Sequence, residues 1–465
     1  MPVSVSFLGA ARNVTGSRHL LDVFGQRVLV DAGLYQERQN ASHNWEPFDV
    51  EPSELEAILL THAHIDHAGW LPRLVRSGYR GLVHCSKATA EVAPLVLFDA
   101  AKLQAEDVAW KRKRHQREGR TSMFPIEPLY EEEDVEATKH ALRGHDFGER
   151  VLVSPGVTAT FYPSGHILGA SMVLVEHAAS GKRVLFSGDL GRKERPLMPN
   201  PWDPPEADLV VVESTYGDRV HDDSEDVTTQ LEHVVRRTAK RRGKLLIPCF
   251  AVERAQELLF HLQRLRRGGR MVSIPIFLDS PMAVSLLNVF RHHPEALDSA
   301  SRERLAMGDS PFTLPELRLC SSRDDSKRIN DLPGPAIIIA GSGMCNGGRI
   351  KHHLSCHLSN PENTLLFVGY QASGTLGRQL LDGEKSVRLF GQPWEVRLEV
   401  CQIHGFSGHA DRNELIDWLG RMPGGPRRVA VVHGGSNVTE RFAEEIRNRL
   451  GCPVVVPSFR DRVEI

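Results

Sequence analysis

The chain has 465 residues, 41% hydrophobic and 25% charged, which is enough apolar content to bury a core and too much for a disordered or fibrous chain. Its 57 Lys and Arg nearly cancel 59 Asp and Glu, so a net charge of -2 gives no global attraction to polyanions, and any nucleic-acid affinity must come from a local patch. No apolar run approaches the ~18 residues of a membrane span, and the seven scattered cysteines, never spaced Cys-x-x-Cys, argue against a disulfide framework and a thiolate zinc finger. The expectation is a cytoplasmic protein with no leader and no membrane partner.

From residue 3 to about 215, short β-branched runs at 3–8, 27–30, 57–60, 157–162, 172–175, 183–186 and 209–212 end in Gly, Asp or His, and a helical pattern covers 89–116. Many strands with few long crossovers predict stacked sheets with helices outside. After Tyr216 the rhythm changes. An amphipathic stretch at 228–242 precedes a strand at 244–248, a helix at 254–266 and a strand at 274–278, and the pattern continues through strands at 336–340 and 364–368. That alternation marks a parallel α/β unit. From about 395 short strands return, followed by 414–419, 428–432 and a final helix at 438–450. The simplest account is an α/β domain at 216–396 inserted into a first domain made of 1–215 and 397–465. The strand-like tail 454–465 pairs either in its own sheet or with a second subunit, which leaves a homodimer open.

Thr61-His62-Ala63-His64-Ile65-Asp66-His67 directly follows the apolar run 57–60, so three histidines and an aspartate sit in the loop leaving a strand. Neutral imidazoles and carboxylates are the donors zinc prefers, and catalytic sites keep an open position for water. Alternate residues of extended chain diverge in direction, so one ion cannot easily collect all four side chains, and a two-metal site is the natural reading. His166 and Asp189 each follow a strand and a Ser-Gly pair, where the backbone turns sharply and approaches closely. Val429-Ala430-Val431-Val432-His433-Gly434 repeats the pattern of strand, then His, then glycine.

With Asp31 in Val30-Asp31-Ala32-Gly33, the His-x-His-x-Asp-His cluster, His166 and Asp189 in order, the chain resembles the metallo-β-lactamase fold. Glu213 after the strand 209–212, His409 in Gly405-Phe406-Ser407-Gly408-His409-Ala410-Asp411, and His433 resemble the further motifs of its β-CASP nucleases. The resemblance implies an α/β fold, an αββα sandwich with an inserted parallel α/β β-CASP domain. It implies one zinc held by His62, His64 and His166, a second held by Asp66, His67 and His433, and Asp189 bridging. Two such zinc ions activate a hydroxide for attack on a phosphodiester. The catalytic set is then Asp66 with His409, the acid for the leaving oxygen, oriented by Glu213. Asp31 orients the His-rich loop from behind. A histidine at the last motif, here His433, is similar to the RNA-processing branch, whereas the DNA cross-link repair branch usually has valine there. The spacing is most similar to bacterial and archaeal homologues of the messenger-RNA 3′-end cleavage nuclease.

Substrate contacts leave a fainter trace. Ala340-Gly341-Ser342-Gly343-Met344 follows a strand and precedes a helical stretch, so the backbone at Ser342 and Gly343 is a candidate phosphate cradle, and Arg378 in Gly374-Thr375-Leu376-Gly377-Arg378 a candidate contact. The basic runs 111–117 and 236–244 either track a phosphate backbone or form solvated helix faces. No P-loop and no Gly-x-Ser-x-Gly elbow is present. The expected function is a zinc-dependent ribonuclease acting on single-stranded RNA, cutting internally or from the 5′ end, with the inserted domain capping the metals. The alternatives are a small-molecule ester or thioester hydrolase, a DNA-directed β-CASP nuclease, and an RNA-binding scaffold without metals.

Overall fold

Alternation along the short strands decides which faces meet. Val28, Val30, Ala57 and Leu59 share a core with Val173, Val175, Val184, Phe186, Val211 and Ala430, while the residues between them, such as Leu185, Val210 and Val431, enter a second core on the opposite face. The computed structural model describes residues 3–119, 121–122, 126–221 and 225–465. Two compact units emerge, one of residues 1–220 and 408–465, the other of residues 221–407.

The first unit contains two seven-stranded sheets. One runs Arg462–Glu464, Ser4–Phe7, His19–Val23, Gln26–Val30, Leu55–Leu59, Leu82–Ser86, Leu142–His145. The other runs Val454–Val455, Val429–Val431, Leu209–Val212, Arg183–Phe186, Ser171–His177, Val157–Pro163, Arg150–Ser154. Helices cover the outer faces. Lys87–Glu118 packs on the strands Leu82–Ser86 and Leu142–His145, and Trp418, Leu419, Phe442 and Ile446 of the helices Arg412–Gly420 and Ser436–Leu450 fill the second core. This is the αββα sandwich the resemblance implies. The C-terminal tail pairs within these sheets, Val454 against Val429 and Val463 against Val5.

Strand direction places the chemistry. Gln26–Val30 and Leu55–Leu59 are parallel, as are Arg183–Phe186, Leu209–Val212 and Val429–Val431. Val157–Pro163 is antiparallel to Ser171–His177, itself antiparallel to Arg183–Phe186. The carboxyl ends of the strands in each sheet that precede Asp31, His62, His166, Asp189, Glu213 and His433 therefore fall on one rim.

The second unit is a six-stranded, all-parallel sheet in the order Leu317–Leu319, Ile276–Asp279, Ala336–Ala340, Lys244–Pro248, Thr364–Phe367, Glu399–Gln402. The strand Glu399–Gln402 lies past the expected boundary at 396. It adds to the insert's sheet beside Thr364–Phe367, so the unit continues to Ser407 before the chain returns. Asp279, at the end of its strand and fully buried, accepts hydrogen bonds from Arg349 Nη1 (2.5 Å) and Ser326 Oγ (2.5 Å) and lies 2.7 Å from His353 Nε2. Burial alone would raise its pKa, but His353, Ser326 and Arg349 outweigh that and hold the carboxyl below its ordinary value. No helix among the described residues is long and apolar enough to cross a membrane.

Candidate metal centre

The loop after Leu55–Leu59 turns into the short helix Ile65–Ala68, with His64 at its N-cap position and Asp66 and His67 inside it. That switch from extended chain to helix divides the four side chains between two clusters. In the first, His64 Nδ1 lies 3.1 Å from His62 Nε2 and 3.2 Å from His166 Nε2, and Asp189 Oδ2 is 3.5 Å from both His62 Nε2 and His166 Nε2. In the second, His67 Nε2 is 3.1 Å from His433 Nε2, and Asp66 Oδ2 is 3.5 Å from His433 Nε2. Asp189 Oδ1 joins this set at 3.2 Å from His67 and 3.7 Å from His433. One carboxylate thus turns one oxygen toward each cluster.

These separations fit a metal. Ligands about 2.0 to 2.1 Å from a tetrahedral zinc stand about 3.3 Å apart, and the closest donor pairs in both clusters fall at 3.1 to 3.5 Å. His62, His67, His166, Asp189 and His433 are all buried. Burial, then neighbouring histidine, holds His62 and His166 well below the ordinary imidazole pKa, and burial takes His64 to about 4, so these three rings stay neutral and able to donate lone pairs. In the second cluster burial opposes charge on His67 and His433, but Asp189 with Asp31 outweighs it at His67, and Asp189 with Asp66 outweighs it at His433, taking that ring to about 9. The site thus gathers the negative charge that bound cations require. The centre is built for divalent metal.

Three of the rings are aimed from behind. Asp31, at φ +60°, accepts from Thr61 N (2.8 Å) and Thr61 Oγ1 (2.9 Å) and lies 2.7 Å from His67 Nδ1, which turns Nε2 toward the cluster. His166 Nδ1 meets the Gly408 carbonyl at 3.0 Å, and His433 Nδ1 meets Thr215 Oγ1 at 3.0 Å. Thr61, Thr215 and Gly408 were not singled out from the sequence; the hydroxyl residue beside a ligand loop is the only trace they leave there. The Ser-Gly turns meet the expected need: a Cβ on Gly165 (φ +73°) would lie 2.4 Å from Pro199 O, and one on Gly188 (φ +52°) 2.8 Å from Ser171 O.

Beside the first cluster, His409 Nδ1 stands 3.2 Å from both Glu213 oxygens, and its ring lies 4.4 Å from that of His166. Glu213 is buried and fixed by Leu190 N (2.7 Å) and Thr215 N (3.2 Å). Burial works against charge on His409, yet Glu213 and Asp189 raise its pKa above the ordinary value.

The fainter sequence signals lie in the second unit. Ser342 Oγ accepts from Gly347 N within its own loop, and Arg378 pairs with Asp382 one helical turn away. Parts of the basic runs are ion-paired: Lys111 with Asp107, Arg114 with Glu118, Arg236 with Glu232, while Arg237 and Arg241 share Glu399. They read as solvated, ion-paired faces.

Comparison with known proteins agrees with this geometry. Three family models match: Metallo-beta-lactamase superfamily over residues 20–242, Beta-Casp domain over 255–380, and Zn-dependent metallo-hydrolase RNA specificity domain over 394–457. Ribonuclease TTHA0252 of Thermus thermophilus is 40% identical over 426 residues, 92% of either chain. Transcription termination factor FttA of Methanocaldococcus jannaschii is 30% identical over the whole of this chain and 72% of its own. A solved structure of a protein of unknown function from Enterococcus faecalis shares the fold at a TM-score of 0.54 and 12% identity, covering 100% of both chains. The chain therefore belongs to the β-CASP family of metal-dependent nucleases within the metallo-β-lactamase superfamily.

Proposed function

We propose that this protein is a ribonuclease that hydrolyses phosphodiester bonds of single-stranded RNA at a centre of two zinc ions. The observation that carries the reading is Asp189, whose two oxygens each face a separate donor cluster, with the His409–Glu213 pair alongside. Support for RNA comes from the match to an RNA specificity domain and from the ribonuclease of Thermus thermophilus. His62, His64, His166 and Asp189 Oδ2 would hold one ion, and Asp66, His67, His433 and Asp189 Oδ1 the other. Zinc held there would supply Lewis acidity and a lowered pKa for the attacking water.

The chain's own groups do the rest. Asp31, Thr215 and the Gly408 carbonyl fix which ring nitrogen of His67, His433 and His166 faces inward. Glu213 keeps a proton on His409 Nδ1 and steadies the charged ring, so that Nε2 can give its proton to the leaving oxygen as the phosphorus–oxygen bond breaks. By family analogy that leaving oxygen is the 3′-oxygen, and the products carry a 5′-phosphate and a 3′-hydroxyl. All seven cysteines are free thiols, which supports a reducing, cytoplasmic setting.

The test is digestion of 5′-labelled and internally labelled single-stranded RNA, and of the matching duplex, by protein of known metal content. Metal-dependent loss of the single strands, absent in His64→Ala and after chelation, is the expected result. Product length separates internal from end-directed cutting. Metal-loaded protein that leaves every RNA intact overturns the reading.

A further inference from the structure

We infer that Phe250 and Tyr370 form a stacking platform for the bases of single-stranded RNA on the second unit, an inference that rests on the ribonuclease reading and adds a contact with bases to it. Both residues follow the carboxyl ends of adjacent parallel strands, Lys244–Pro248 and Thr364–Phe367, the end of a parallel sheet where α/β units bind ligands. Both are open to solvent, Phe250 at 42% and Tyr370 at 60% exposure. Scattered exposed aromatics need no explanation, but here the Phe250 ring lies beside the backbone of Gly369, the residue that precedes Tyr370. A Cβ built on Gly343 would come within 2.5 Å of Phe250 Cδ2 and Cε2, and one on Gly369, the neighbour of Tyr370, within 3.7 Å of Cε2. The ring therefore rests on backbone at two glycines, and any side chain at 343 would displace it.

The loops that carry this platform are tied to each other. Buried Gln371 donates through Nε2 to the carbonyls of Gly343 (3.0 Å), Tyr370 (3.0 Å) and Gly369 (3.2 Å). Gly377 N donates to Met344 O (3.0 Å), and Leu376 N to Asn346 Oδ1 (3.1 Å). The glycine-rich motifs at 341–348 and 374–378 thus serve as a frame for the Phe250 ring and for the backbone that carries Tyr370. A framed aromatic loses little freedom when a base settles on it, and every base offers a π-face, so the platform is indifferent to sequence and suits an unpaired strand rather than a duplex.

The experiment measures binding of metal-stripped protein to a single-stranded RNA oligomer and to an abasic ribose-phosphate oligomer of equal length, with metal-loaded cleavage of the same RNA run alongside. Stacking predicts that Phe250→Ala and Tyr370→Ala each weaken binding to the RNA by about fivefold or more. They leave the abasic oligomer nearly unaffected, while Phe250→Tyr and Tyr370→Phe bind both oligomers as the wild type does. Alanine variants that hold the RNA as tightly as wild type, in a protein that still cuts it with metal bound, overturn the platform and leave the ribonuclease reading standing. Equal losses on both oligomers likewise assign the effect to charge or folding and overturn it. A wild type that neither binds nor cuts the RNA overturns both.

Discussion

Replacing Asp31 separates the two halves of the metal centre. The carboxylate is buried and receives two hydrogen bonds from Thr61, at 2.8 and 2.9 Å, and it faces His67 Nδ1 at 2.7 Å. Asp31→Ala leaves the Thr61 N–H and the His67 ring without that partner, and each unsatisfied buried group costs about 1 to 3 kcal/mol, so the metal-free protein should lose roughly 2 to 6 kcal/mol of stability. Asp31→Asn is the sharper variant. Its amide oxygen can still accept from Thr61, but its NH2 cannot accept the proton of His67 Nδ1, so the ring is no longer held with Nε2 inward. Outer partners of metal ligands are worth about 10- to 100-fold in metal affinity. Titration of the metal-free variants against a competing chelator should show that loss in the binding step assigned to Asp66, His67 and His433. The step assigned to His62, His64 and His166 should weaken less, since Asp31 touches none of those rings directly and reaches only His62, through Thr61 Oγ1 at 3.1 Å from His62 Nδ1. Equal weakening of both steps, or no weakening of either, would refute the assignment of Asp31 to one cluster.

If His409 has the proposed role of acid beside the centre, His409→Ala should lower the single-turnover cleavage rate by about 10²- to 10⁴-fold while the bound metal stays at the wild-type amount; metal loss equal to the activity loss would make it a ligand. Phe161, fully buried between the two sheets, should cost about 3 to 5 kcal/mol in urea unfolding when cut to alanine. The inserted unit should be acid-labile through His357, which burial and then Lys244 take down to about 3. Between pH 3 and 6.5 the unfolded chain binds a proton that the folded one excludes, so stability falls as pH falls, by about 2 kcal/mol between pH 7 and pH 5. Asp279 adds a second loss at lower pH, because its contribution is present above the ordinary carboxylate pKa and vanishes as pH drops through its depressed one. Thermal melts of wild type and His357→Leu across that range read the difference, which should shrink in the variant.

The candidate donors were legible in the sequence because the segments that carry them follow short strands, and strand ends on one rim converge. Spacing alone pointed to two ions, and the family resemblance supplied which donors group together; the structure adds that His62 and His64 leave extended chain whereas Asp66 and His67 stand in the helix that follows. What remained hidden depends on contacts between distant residues. Glu399 pairs with both Arg237 and Arg241 from more than 150 positions away, so part of a run that reads as a basic stripe is ion-paired. The strand Glu399–Gln402 reads as part of the returning segment until its pairing with Thr364–Phe367 is seen. The helices Pro281–His292, Ser299–Ala306 and Arg323–Asp331 and the hairpin Ser386–Leu389 with Gln392–Glu395 also went unrecognised, between strands whose apolar runs dominated the pattern. Gly408 aims His166 with a backbone carbonyl, which no residue type announces.

The most direct test of the account is metal content per chain, measured with RNA cleavage on the same preparations of wild type, His64→Ala and Asp189→Ala. The two-cluster centre predicts about two zinc ions per wild-type chain, about one in His64→Ala, fewer than one in Asp189→Ala, and cleavage in the wild type alone. A wild type that cuts RNA with one ion or none, or an Asp189→Ala that keeps both ions and full activity, would contradict it.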